Sequence, residues 1–112
     1  MFKDIYNKNV LLILGDNFLY CKNNRINDLK KTIKDFKSGS NIYTYDVDDI
    51  SNYGAVKKIG KKIIIREKPE NSFSKSAIIG LYLFDKNVVE YTKKLRKSKR
   101  GEYEITDLIN KY

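Results

Sequence analysis

Residues 10–17 read VLLILGDN, and this stretch decides the expected fold. Its first five residues are all apolar, which is typical of a strand buried on both faces in a parallel sheet. The strand is expected to stop at Gly15, so that Asp16 and Asn17 follow its carboxyl end. Ligands of open α/β sheets collect beyond such ends, and a carboxylate there suits a divalent metal. Asp16 is therefore a candidate metal ligand.

The next segments predict a helix and a second strand. Apolar residues recur at positions 26, 29, 33 and 36 with lysines between them, which is the pattern of an amphipathic helix. Residues 41–45 read NIYTY and are rich in β-forming residues. Strand, helix and strand make a βαβ unit, whose two strands are expected to be parallel. The sequence therefore predicts an α/β fold with a mostly parallel sheet flanked by helices.

The second half of the chain predicts a hairpin, one more strand and two helices. Residues 53–59 and 62–68 flank Gly60-Lys61 and read as the arms of a hairpin, which Pro69 ends. Residues 77–84 are almost continuously apolar and indicate a buried strand. Asp85 is expected to cap a helix that follows it, and residues 104–112 form the last helical segment.

Composition restricts the chemistry that is available. The 112 residues are enough for one domain with its own core, and the chain has one cysteine and no histidine. A single cysteine, Cys21, excludes an internal disulfide, and the lack of histidine excludes imidazole catalysis. No apolar run approaches the ~20 residues of a membrane span, so no membrane partner is expected. A cytoplasmic enzyme using carboxylates, lysines, backbone groups and Mg²⁺ is the expectation.

The formal net charge of +9 raises the alternative of a basic nucleic-acid-binding module. Most of the positive charge consists of scattered lysines, and only residues 93–100 form a dense basic cluster. Cations near a helix C-terminus also suit the helix dipole. A solvated helix end is favoured over a nucleic-acid interface, although the charge alone does not decide between them.

Five short motifs follow one another along the chain and together carry a resemblance. They are residues 14–17 (LGDN), 53–56 (YGAV), 67–69 (EKP), Gly80-Leu81-Tyr82, and 101–107 (GEYEITD). In this order and spacing the chain resembles the sugar-1-phosphate nucleotidyltransferases. The resemblance implies a Rossmann-like nucleotide-diphospho-sugar transferase fold, with residues 1–112 as a single partial domain. It also implies transfer of a nucleotidyl group to a sugar 1-phosphate, with dTTP and glucose 1-phosphate favoured as substrates and dTDP-glucose and pyrophosphate as products.

The resemblance assigns two residues to the phosphates. Asp16 matches the aspartate that binds Mg²⁺ between the nucleotide phosphates, and it is a candidate catalytic residue as well as the metal ligand. Lys68 matches the cation beside the sugar phosphate, and a flexible ammonium suits a phosphate group. Because nucleotidyl transfer needs mainly positioning and charge neutralisation, these residue types fit the implied reaction.

The remaining matched residues are implied to contact the sugar. Gly54 matches a glycine whose backbone approaches the sugar, Glu67 an acceptor for its hydroxyls, and Ile78 a backbone contact. Glu102 matches a further sugar-contacting glutamate. Glu104 is instead expected to be an exposed residue that supports the start of the last helix.

Two parts of the family pattern have no counterpart in these residues. The six glycines include no Gly-x-Gly, so the family's glycine-rich phosphate loop is not matched, and no Trp-Leu-Asp-type metal segment occurs. We therefore expect this chain to be part of a full enzyme, with little activity alone. Full-length relatives are implied to be homo-oligomers. A non-catalytic sugar-phosphate-binding remnant remains a further alternative.

Overall fold

A computed structural model describes residues 7–15 and 25–112, which form five strands and three helices. In chain order these are β1 (Val10–Ile13), α1 (Arg25–Asp35), β2 (Ser40–Asp46), β3 (Gly54–Ile59), β4 (Lys62–Glu67), β5 (Ser76–Phe84), α2 (Val88–Lys93) and α3 (Ile105–Ile109). Each predicted strand and helix is present near its expected position. Within these two ranges no helix is both long enough and apolar enough to cross a membrane.

Strand β5 is the centre of the sheet. Strand β2 pairs along one of its edges, with Ser40 opposite Phe84. The other edge is shared, because β1 pairs with the second half of β5 and β3 pairs with its beginning, where Ala55 lies opposite Ala77. Strand β4 lies beyond β3 as the second arm of the hairpin. The longest and most apolar strand therefore occupies the position where both of its edges are hydrogen-bonded.

The prediction of a mostly parallel sheet is wrong. All four pairings between the described strands are antiparallel. Strands β1 and β2 do run in the same direction, as a βαβ unit requires, since each is antiparallel to β5. They are not neighbours, however, because β5 lies between them. Sequence periodicity cannot reveal such an insertion, since the insertion depends on pairings between residues 30 to 74 positions apart.

The expectation that β1 is buried on both faces is also wrong. Val10 and Leu12 pack against the core, whereas the side chains of Leu11 and Ile13 are 39% and 52% exposed. This alternation is typical of a strand in an antiparallel sheet that is packed on one face. A run of apolar residues therefore did not indicate a doubly buried strand here.

Two apolar clusters form the core on opposite faces of the sheet. The larger one joins Tyr82 and Phe84 of β5 to Val88 of α2 and Leu108 of α3. The smaller one joins Ile50, Ala55 and Ala77. Because successive residues of a strand face opposite sides, β5 supplies side chains to both clusters. Burying a residue such as Phe84 contributes roughly 1.5–3 kcal/mol.

Asp85 joins three segments rather than capping α2. The N-cap residue of α2 is Asn87. The Asp85 carboxylate accepts the backbone N–H of Gly39 at 2.8 Å and that of Asn87 at 2.9 Å, and the Tyr112 hydroxyl donates to it at 3.2 Å. Burial alone would raise the pKa of Asp85, but these hydrogen bonds outweigh it and lower the pKa. The carboxylate thus ties the chain before β2 and the last residue to the end of β5.

Candidate functional site

A cavity of about 320 Å³ opens where five strands and α3 converge. Its apolar wall includes Leu14, Gly54, Ile78 and Gly80. Its polar wall consists of hydroxyl, amide and carboxylate groups from Tyr45, Asn52, Tyr53, Glu67, Tyr82 and Thr106. The volume lies at the lower end of the range for small-molecule sites. The mixture of hydrogen-bonding groups and aromatic rings suits a small polyhydroxylated ligand.

The strand pairings bring three of the sequence-predicted residues, Gly54, Glu67 and Ile78, to this cavity. Gly54 and Glu67 lie directly opposite each other at the open end of the β3–β4 hairpin. Ile78 lies in the first half of β5, and the N–H of Leu14 donates to the carbonyl of Gly80 at 2.8 Å. Four motifs that are distant in sequence therefore meet at one cavity.

Gly54 lies where the cavity wall is tightest. A β-carbon at this position would be 3.0 Å from Cγ2 of Thr106, 3.4 Å from Cδ1 of Ile78 and 3.5 Å from Oε2 of Glu67. A distance of 3.0 Å is shorter than an ordinary van der Waals contact. The missing β-carbon thus lets the side chains of three cavity residues approach the strand.

Glu67 is the only carboxylate in the described cavity wall, and it is partly buried. Burial raises its pKa, a hydrogen bond with Thr106 lowers it, and the nearby charge of Glu104 raises it again. Lys68 and Arg100 oppose this shift through their positive charges, but the pKa remains above its ordinary value. Burial and the charge of Glu67 also raise the pKa of Tyr82.

Lys68 has an unusual backbone conformation. Its φ is +42°, in the left-handed region that side chains other than glycine rarely adopt, and it precedes Pro69. Its N–H donates to the carbonyl of Tyr53 at 2.9 Å, which holds this conformation in place. Its side chain is exposed and outside the cavity wall, although its charge acts on Glu67. Strained residues of this kind cluster at functional sites.

Glu102 lies outside the cavity wall, and Glu104 is buried rather than exposed as predicted. Glu102 is exposed, does not line the cavity, and pairs with Arg100 at 3.1 Å. Glu104 does precede α3 as its N-cap residue, but it is buried rather than exposed. Its carboxylate accepts the Ser98 hydroxyl at 2.9 Å and Nη1 of Arg100 at 3.3 Å. Arg100 therefore connects Glu102 to a buried carboxylate whose charge reaches Glu67.

Asp16 and Cys21 lie outside the described residues. Leu14, two residues before Asp16, is part of the cavity wall. Residues 7–15 and 25–112 contain no group of three or more acidic or cysteine side chains that could hold a metal ion.

Comparison with known protein families gives a match over the whole chain. The profile of the nucleotidyl transferase family matches residues 1–112. The chain belongs to the nucleotidyl transferase family. The resemblance to sugar-1-phosphate nucleotidyltransferases inferred from the motifs is thereby confirmed at the level of the family.

Individual relatives of this nucleotidyl transferase chain share one name. The glucose-1-phosphate thymidylyltransferase of Neisseria meningitidis serogroup A is 35% identical over 96% of this chain and 38% of the relative. That of Mycolicibacterium smegmatis is 38% identical over 96% of this chain and 37% of the relative. The chain thus spans less than two-fifths of these relatives.

A solved structure supports the same family. A Bacillus anthracis protein assigned as a glucose-1-phosphate thymidylyltransferase, crystallised with sucrose, superimposes with a TM-score of 0.77 at 36% identity. The match covers 97% of this chain and 44% of the other. The fold of this nucleotidyl transferase chain is therefore shared with a solved protein across nearly all of its length.

Three polar cavity residues of this nucleotidyl transferase chain carry no signal of their own in the sequence. Thr106 reads as an ordinary helix residue, Tyr45 as the end of a strand, and Tyr82 as core. Thr106 is 2% exposed, and Tyr45 and Tyr53 are edge-to-face partners 6.2 Å apart at the cavity rim. For Thr106, its place within the GEYEITD motif was the available indication.

Proposed function

We propose that this chain supplies the sugar-phosphate-binding part of a glucose-1-phosphate thymidylyltransferase. In that reaction an oxygen of glucose 1-phosphate attacks the α-phosphorus of dTTP. The new P–O bond gives dTDP-glucose as the bond to the β-phosphate breaks and pyrophosphate leaves. The names of the curated relatives and the sequence-predicted residues at the cavity support this proposal.

The observation that carries the proposal is the placement of Glu67 beside Gly54 and Thr106. A carboxylate accepts hydrogen bonds from sugar hydroxyls, and its partial burial strengthens such bonds. The tyrosines and Asn52 add further hydrogen-bonding groups to the wall. We assign Glu67, Gly54 and Ile78 to the sugar, with Thr106 holding the Glu67 carboxylate.

The phosphate side of the proposal depends on Lys68. Lys68 directly follows Glu67 and has an exposed side chain, which we assign to the sugar phosphate. Glu102 is assigned a supporting role, because its ion pair with Arg100 helps to hold that cation beside Glu104. Neither Lys68 nor Glu102 lines the cavity. Lys68 is assigned to the phosphate because it directly follows Glu67 in the sequence.

We assign Asp16 to Mg²⁺. A hard carboxylate oxygen is a suitable ligand, and Mg²⁺ needs only one or two protein carboxylates when substrate phosphates and water complete its shell. Leu14, two residues before Asp16 in the sequence, lines the cavity, and this supports the assignment. Mg²⁺ held by Asp16 would supply the positive charge that offsets the nucleotide phosphates.

A titration of the 112-residue chain with glucose 1-phosphate tests the proposal, with binding followed through backbone amide chemical shifts. We expect shifts at Gly54, Glu67 and Thr106. Glu67→Gln should weaken binding at least about tenfold, as expected for loss of a charged hydrogen-bond acceptor. Glu70→Gln, which removes an exposed carboxylate on the adjacent loop, is the matched control and should leave affinity unchanged.

Glucose and inorganic phosphate, each added alone, separate the two halves of the ligand. Shifts confined to residues away from the cavity, or equal losses in the Glu67 and Glu70 variants, would contradict the assignment of the sugar site. A turnover assay with dTTP, Mg²⁺ and glucose 1-phosphate then measures how much pyrophosphate the chain releases on its own.

A further inference from the structure

A second concave region lies beside α3, and none of its wall residues belongs to the candidate sugar site. It has a volume of about 530 Å³, and we call it the basic groove. The segment after α2 contributes Lys94, Arg96 and Lys97, and α3 with the residues after it contributes Asp107, Asn110 and Lys111. Ile105 and Thr106 of the same helix face the sugar cavity. The two sites are thus separate but share a helix.

The groove is strongly positive. Four cationic side chains and one carboxylate line it, so its formal charge is +3. In the described part of the chain, the ion pairs nearest to it involve Lys93 with Glu90 and Arg100 with two glutamates. None of the four groove cations takes part in an ion pair among those residues. Like charges held around one concavity repel each other, and a bound anion would relieve that repulsion.

The helix dipole does not account for this arrangement. Cations are favoured in the last turn of a helix, and Lys93 holds that position in α2. The groove cations follow the ends of two helices of only six and five residues, and they converge from two segments onto one space. Lys97 also lies 5.9 Å from the ring centre of Tyr103, which is 64% exposed. An exposed aromatic ring therefore flanks the charge.

We propose that the basic groove is a binding site for a compact polyphosphate anion, distinct from the sugar site. The ligand is either an inorganic polyphosphate or the phosphate chain of a free nucleotide, which share the chemistry that the four cations recognise. The concave shape favours such a ligand over the extended backbone of a nucleic acid. An extended chain would gain most from a continuous stripe of cations rather than from a pocket.

Titration of the full chain with tripolyphosphate, ATP and a 20-nucleotide RNA tests the proposal. We expect tripolyphosphate to shift the amide signals of Lys97, Asp107 and Lys111 while those of Gly54 and Glu67 stay in place. The double variant Lys97→Gln/Lys111→Gln should weaken binding at least about tenfold. ATP binding more tightly than tripolyphosphate would identify a nucleotide as the ligand, and equal affinity would identify the phosphate chain alone.

The matched control is Lys61→Gln/Lys62→Gln, which removes the same charge at the exposed tip of the β3–β4 hairpin. This control should change affinity less than about twofold, because screened charges at a distance contribute little. Equal losses in both double variants would overturn the proposal by assigning binding to net charge. RNA binding whose salt dependence corresponds to more than about four phosphate contacts would overturn the proposal in favour of a nucleic-acid surface.

Discussion

Cγ2 of Thr106 lies 3.0 Å from the point that a β-carbon on Gly54 would occupy. This relationship joins a strand of the hairpin to the last helix across the candidate sugar site. A β-carbon at position 54 would therefore press on Thr106 within the protein's own packing, whether or not a ligand is bound. The motif that contains Gly54 and the motif that contains Thr106 thus depend on each other sterically.

The first prediction concerns this contact. Gly54→Ala should lower the free energy of unfolding by about 1–3 kcal/mol, because the added methyl overpacks the site. Thr106→Ser removes Cγ2, so Gly54→Ala should lower the free energy of unfolding clearly less in a Thr106→Ser background than in the wild type. Denaturant unfolding of the four proteins of this double-mutant cycle measures the coupling. Gly15→Ala, where a β-carbon meets no atom of the described residues within 4 Å, is the control. If the losses in unfolding free energy of the two single variants simply add in the double variant, the contact does not limit packing at the site.

The second prediction concerns pH. Burial raises the pKa of Glu67 above its ordinary value of 4.5, so the folded chain binds a proton at this carboxyl more tightly than the unfolded chain does. At neutral pH the ionised Glu67 therefore reduces stability, and Glu67→Gln should be more stable than the wild type. That advantage should shrink as pH falls through the raised pKa and vanish below about 4.5.

Chemical denaturation at pH values from 7 to 4 measures this difference. Glu70→Gln, an exposed neighbour, should show a difference that does not change with pH. A Glu67→Gln chain that is less stable than the wild type at pH 7 would contradict the assigned direction of the shift.

The third prediction concerns Asp85. Its pKa is lowered, so it contributes stability above its ordinary pKa of 3.8, and this stability is lost as pH falls through the folded-state value. Asp85→Asn should cost about 1–3 kcal/mol at pH 7, because the carboxylate accepts several hydrogen bonds. Tyr112→Phe should cost about 0.5–1.5 kcal/mol, since it removes one of them. Thermal and denaturant unfolding measure both, and Asp48→Asn at an exposed turn should be neutral.

The fourth prediction concerns the backbone of Lys68. At a φ of +42°, glycine is less strained than any other residue, so Lys68→Gly should be more stable than Lys68→Ala by roughly 1 kcal/mol. At Lys58, inside β3, the order should reverse, because glycine weakens a strand. Unfolding free energies of the four variants check this. Equal stabilities of the two Lys68 variants would show that the left-handed conformation carries no strain.

The local elements were predictable because each depends on nearby residues. The spacing at positions 26, 29, 33 and 36 predicted α1, and Gly60-Lys61 between two β-rich segments predicted the hairpin. The prediction of a parallel sheet was wrong, because the relative direction of paired strands depends on which strands are neighbours in the sheet. The same limit applies to Glu104, whose burial depends on Ser98 and Arg100 folding back over it.

The site was predictable to the extent that it follows a motif. Gly54 and Glu67 were named from their motifs and Ile78 from the family resemblance, and all three line one cavity. Thr106 and Tyr45 were missed, because a hydroxyl on a helix or at a strand end has no characteristic spacing. Glu102 was named, yet it faces solvent with Arg100. Its motif identifies a segment near the site but not the direction of each side chain.

The amino-acid sequence by itself determined the family, the order of the strands and helices, and the chemical groups available: carboxylates, lysines and hydroxyls without imidazole. Only the tertiary structure decided that β5 lies between β1 and β2 and that Thr106 closes against Gly54. The reason is physical. Periodicity and turn residues act over a few positions, whereas strand neighbours and cavity walls are set by packing between segments far apart in the chain.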